Sequence, residues 1–130
     1  MTDRAARSWA LFASALLVNL AVLFWPSGVG GGGPDHVDKA VHTASFAALA
    51  WTGVRAGLPA GTFVAVLVAH AVTSEVVQAT VLPDRSGEAW DVVADVAGVA
   101  LGLGAASWRN GGAGGRRRGR DSPGREPDAG

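Results

Sequence analysis

Between Ser8 and Trp25 the chain carries no charged residue, and the run is bracketed by Arg7 and Pro26. A helix of that length rises about 27 Å, close to the ~30 Å hydrocarbon thickness of a bilayer. Trp9 and Trp25 stand at its ends, where interfacial aromatic belts belong, and Asn19 is its most polar interior residue. No small-x-small cleavage site follows, and the run is long for the apolar region of a signal peptide. It is therefore read as an uncleaved spanning helix.

Three more apolar segments follow. Ser27 to Pro34 is a glycine-rich linker that no helix would tolerate. Asp35-His36-Val37-Asp38-Lys39 then opens a segment from Ala40 to Val54, closed by Arg55, whose short apolar run relies on Lys39 and Arg55 snorkelling outwards. Ala56 to Gly61 reads as a tight turn. The third segment runs from Thr62 to about Leu82 with Pro83 as its stop, and the fourth runs from Ala89 to Trp108 with Trp90 and Trp108 as belt residues. The expected fold is all-α, with four antiparallel transmembrane helices over 8–25, 38–55, 61–82 and 89–108. Residues 1–7 form an N-terminal segment, and 109–130 an Arg- and Gly-rich tail with no apolar content to bury.

The composition agrees. Of 130 residues 48% are hydrophobic and 17% charged, and most of the tail is Gly, Arg, Asp, Glu and Pro, so the body is more apolar still. One domain is expected. Cysteine is absent, which excludes disulfides and thiolate metal sites. The zero net charge hides a segregation of sign. Nine of the 11 basic residues lie before the first span, between the second and third, or after the fourth; only Lys39 and Arg85 lie elsewhere. The positive-inside rule then puts both termini in the cytoplasm and the two remaining loops outside. The Arg run of the tail is read as an orientation signal, and no nucleic-acid partner is expected.

Within these segments the carboxylates are the anomaly, since ionisable groups in hydrocarbon are costly and usually functional. His42 lies early in the second segment, Glu75 and Gln78 late in the third, and Asp91 and Asp95 at the start of the fourth. At 1.5 Å per residue all fall within about 10 Å of the outer interface, in one polar layer. Asp38 and His42 are four apart and share a helix face, as do Glu75 and Gln78 at three apart. Asp91, Asp95, Gly98, Gly102 and Ala105 form one stripe, and Gly98-x-x-x-Gly102 invites close helix approach. The carboxylates should therefore face the bundle. Buried carboxylates need cations or protons. Arg85, ahead of Asp91, is expected to fold back as a clamp, alongside Lys39 and His42. His70 is expected to hydrogen-bond a neighbour, Ser74 its own helix carbonyls, and Phe46, Trp51 and Phe63 to pack or to sit in the belt.

Asp38-Lys39-x-x-His42 followed by Phe46, then Ser74-Glu75-x-x-Gln78, then Arg85-x5-Asp91-x3-Asp95-x2-Gly98 with Leu101-Gly102, resembles the VanZ-like membrane proteins. The resemblance covers about residues 35–104, and Asp95 departs from a pattern that often has Asn. The family's namesake is associated with low-level resistance to the glycopeptide antibiotic teicoplanin. The resemblance implies a multi-pass bacterial cell-membrane protein and names no reaction.

Three readings stand at this point. The first is a binding site of Asp38, Lys39, His42, Glu75, Gln78, Arg85, Asp91 and Asp95 for membrane lipids, as the headgroup of an envelope lipid or a lipid-linked precursor. The second is a membrane hydrolase or phosphotransferase with His42, Glu75 and Asp91 as candidate catalytic groups. Arg85-x5-Asp91-x3-Asp95 has the spacing of one lipid-phosphatase motif, with Asp91 where that motif has His. The third is a structural subunit whose ion pairs set helix register. No metal or cofactor is expected; a metal-dependent form of the second reading would use His42 with the carboxylates.

Overall fold

The structure, a computed structural model, describes residues 2–25, 35–82 and 89–114. These residues form four helices: α1 (Asp3–Phe24), α2 (Asp35–Ala56), α3 (Ala60–Val81) and α4 (Ala89–Gly114). The linker at 27–34, the hairpin at 83–88 and the tail beyond 114 lie outside the described residues.

Helix α1 starts at Asp3, ahead of the expected Ser8. Thr2 caps it, its side chain accepting from the Ala5 N–H at 3.5 Å, and Asp3 adds negative charge to the first turn. Helix α2 already includes Asp35 to Lys39, and places His36 on its exposed side. Helix α4 continues past Trp108 to Gly114, because no proline interrupts that stretch. The turn between α2 and α3 is as tight as expected. Gly57 takes φ 98°, its N–H bonds the Val54 carbonyl, and the Leu58 N–H bonds the Gly53 carbonyl. This pair of bonds closes a Schellman cap, whose left-handed residue favours glycine. Pro59 then starts α3.

Helices α1 and α3 and the Ala89–Trp108 part of α4 are long and apolar enough to cross a membrane; α2 is not among them. The expected set of four apolar spans is therefore narrowed to three by composition. Packing explains the difference. Helix α2 has the most extensive contacts, chiefly with α4 and then α1, and its polar residues His42, Ser45 and Thr52 are buried against those partners. Outward-facing Leu11, Leu17, Val66, Val76, Val93 and Leu101 instead lie on α1, α3 and α4. So much exposed apolar surface fits a lipid boundary rather than water.

The core consists of Leu23, Phe46, Leu49, Ala50, Phe63, Leu67, Ala71 and Val99. Phe46 and Phe63 thus pack as expected, while Trp51 carries the Arg55 guanidinium 4.9 Å from its ring centre. Glycine sets the α2–α4 spacing. A Cβ on Gly98 would overlap the Thr43 carbonyl oxygen, and one on Gly102 would overlap the Ala47 carbonyl oxygen and come within 2.9 Å of the Ala50 Cβ. Thr43 Oγ1 donates to the Ala94 carbonyl at 3.0 Å across the same seam. The stripe leaves the expected line at its far end. Ala106 is buried and Ala105 exposed, because the buried arc of α4 turns towards Val99 and Ala106.

Candidate functional site

The polar layer forms where the start of α2, the end of α3 and the start of α4 meet. Helical spacing puts Asp38 and His42 on one face of α2, and Asp91 and Asp95 on one face of α4. Close approach at Gly98 brings those two faces together. His42 Nδ1 lies 3.1 Å from Asp95 Oδ1, and both side chains are fully buried. On its other edge, His42 Nε2 lies 3.8 Å from Asp38 Oδ2. One turn nearer the helix ends, Lys39 Nζ lies 3.4 Å from Asp91 Oδ1. Glu75 enters from α3, and His42, Glu75 and Asp95 each present a donor atom within 4.8 Å of the others.

The layer is graded. Lys39 and Asp38 form its rim at 33% and 30% exposure, Asp91 is nearly closed at 8%, and His42 and Asp95 form a dry floor at 0%. Asp95 carries an anomaly. Its Oδ2 atom is buried and has no hydrogen-bond partner among the described residues. A buried carboxylate oxygen left in that state is uncommon and calls for an explanation.

Six of the eight expected binding residues thus meet in one place: Asp38, Lys39, His42, Glu75, Asp91 and Asp95. Gln78 goes elsewhere. Its Nε2 donates to the Leu23 carbonyl at 2.8 Å, near the C-terminal end of α1. The last carbonyls of a helix have no partner within it, so Gln78 caps one of them and ties α3 to α1. Arg85, the expected clamp, lies outside the described residues; among these, the cation paired with Asp91 is Lys39.

A second polar cluster lies deeper, joining Asn19, Ser45 and His70. Asn19 Nδ2 donates to Ser45 Oγ at 3.1 Å, and Asn19 Oδ1 faces His70 Nε2 at 2.8 Å. An amide oxygen only accepts, so His70 carries its proton on Nε2. His70 is therefore bonded to a neighbour, as expected, and its ring also packs on Phe46 with centroids 5.5 Å apart. Ser45 Oγ in turn donates to the His42 carbonyl at 2.9 Å. Ser74 bonds the Ala71 carbonyl of its own helix, also as expected. Asn19 stood out in the sequence as the most polar interior residue of its run, but its partners lie on other helices and leave no local signal.

The chain matches no family model, no curated protein and no solved structure. Its functional reading rests on the residues of this layer.

Proposed function

We propose that the chain is a VanZ-like protein of the bacterial cell membrane and that its polar layer binds the headgroup of an envelope lipid or lipid-linked precursor. The proposed bundle has four antiparallel spans, with α2 carried across the bilayer by its neighbours and both termini in the cytoplasm. Supporting the alternation, contacts between α1 and α3 advance together along both helices, at Phe12–Phe63 and Asn19–His70. Those between α2 and α4 do the same, at Lys39–Asp91 and His42–Asp95. The basic asymmetry, nine of 11 Lys and Arg on one side, supports the orientation.

One observation carries the binding reading: the layer grades from a half-open rim of both signs to a closed polar floor. Lys39 suits a phosphate oxygen, and Asp38 and Asp91 suit an ammonium group. A headgroup carrying both an amine and a phosphate matches this arrangement better than a purely anionic one, which the carboxylates would repel.

The test is lipid retention by the purified chain, read by native mass spectrometry. Phosphatidylethanolamine should be kept in preference to phosphatidylcholine, which lacks N–H donors, and to phosphatidylglycerol, which lacks the amine. Equal retention of all three would remove the headgroup reading. Release of headgroup or phosphate during incubation would favour the hydrolase reading instead.

The orientation has its own check. The chain has no cysteine, so single cysteines report cleanly. Gly31→Cys and Ser86→Cys should react with an impermeant maleimide in intact cells, and Ala129→Cys only after lysis. The reverse pattern would move the layer to the cytoplasmic face.

A further inference from the structure

We propose that His42, Glu75 and Asp95 form a binding site for one divalent first-row transition-metal ion of the Zn2+ or Mn2+ class. The residues come from three different helices, α2, α3 and α4, and each is buried. Their donor atoms lie within 4.8 Å of one another. Donors bound to one ion at about 2.0–2.2 Å can be at most about 4.4 Å apart. Ligation would require the widest pair to close by up to about 0.4 Å.

The independent pointer is Asp95 Oδ2, fully enclosed and without a hydrogen-bond partner among the described residues, on the carboxylate that faces His42. A buried carboxylate oxygen normally has a donor or an ion beside it. The surroundings of His42 fit the same role. The nitrogen facing Asp95 is Nδ1, while Nε2 faces the Asp38 carboxylate at 3.8 Å. Metal-bound imidazoles characteristically direct their second nitrogen at a carboxylate, which fixes the tautomer and makes the ligand more basic. Asp38, with its carboxylate 3.8 Å from Nε2, is placed to take that part once the imidazole is bound.

The donor set points to the class of ion. A divalent ion beside Asp95 would meet the enclosed carboxylate and take His42 as a neutral nitrogen donor. One imidazole with two carboxylates suits Zn2+, Mn2+ or Fe2+ better than Ca2+ or Mg2+, which prefer oxygen alone. Three protein ligands also leave a coordination position open, as in catalytic rather than structural zinc sites.

The experiment uses the full chain in detergent, stripped with EDTA and reloaded with MnCl2 or ZnCl2, with no lipid ligand added. Its outcome is therefore separate from that of the headgroup assay. Expected results are one ion per chain after desalting, a metal-dependent rise in melting temperature, and nitrogen modulation from one histidine in the pulsed EPR spectrum of the Mn2+ form. Glu75→Gln and Asp95→Asn should abolish stoichiometric retention, and Asp38→Asn should weaken affinity by about tenfold or more. The wild-type chain decides the matter even if a variant fails to fold. No retained ion, or a retained ion without histidine nitrogen coupling, overturns the proposal, as does unchanged retention in folded Asp95→Asn.

Discussion

His42→Ala is expected to destabilise the bundle by about 3 kcal/mol or more, because it removes a fully buried side chain and leaves a buried carboxyl group without its hydrogen-bond partner. His42 and Asp95 are both fully buried and 3.1 Å apart. Without the imidazole, the Asp95 carboxylate stays in a dry layer with neither of its oxygens held by a described side chain. Unfolding in mixed detergent, compared between wild type and variant at one lipid concentration, gives the figure. The double replacement His42→Leu with Asp95→Leu should recover much of the loss, since apolar residues of similar volume often substitute for a buried pair without net cost. A loss below about 1 kcal/mol for the single change would mean that the pair is solvated and the floor of the layer is not closed.

The second large effect is expected at Gly98→Leu. The obstacle there is the Thr43 carbonyl oxygen, a backbone atom that cannot swing aside, with the Phe46 Cβ a further 3.1 Å neighbour. Adding bulk to a packed seam typically costs about 1–3 kcal/mol, and more where backbone must move. The change should also separate α2 from α4 and so pull His42 away from Asp95. Small residues at such seams are what allow helices in lipid to approach closely. Val93→Leu and Ala100→Leu, on the exposed side of α4, serve as controls and should stay within about 0.5 kcal/mol. Thermal unfolding of the four proteins decides it. Equal melting temperatures for Gly98→Leu and Val93→Leu would show that the seam has been misplaced.

Much of this layer was legible in the sequence because helical spacing is a local property. Asp38 with His42, and Asp91 with Asp95 and Gly98, follow from positions three and four apart, and the burial of Asp91 and Asp95 followed from the small residues that continue their stripe. What was not legible depended on neighbours in space. Gln78 looked like a partner of Glu75 by spacing, yet it serves the Leu23 carbonyl, an acceptor that exists only because α1 ends beside it. Lys39 takes up Asp91 although they are far apart in sequence, a pairing created by the α2–α4 seam. The hydropathy of α2 was a similar case. Its polar residues read as a weak span, and packing accounts for them as the lining of the bundle. The end of the buried stripe, Ala106 in place of Ala105, turned on which side of α4 its neighbours cover.

Whether the polar layer receives a ligand or only holds the helices in register turns on the Lys39–Asp91 pair, which lies at the rim, where Lys39 is 33% exposed. Lys39→Gln, Asp91→Asn and the double variant should be compared for folded yield in detergent and for selective retention of phosphatidylethanolamine. The double variant should fold as well as wild type, because neither member of the pair is left alone, while lipid selectivity should be lost in all three. If the double variant regains both folded yield and selectivity, the pair sets register only, and the binding site is not here.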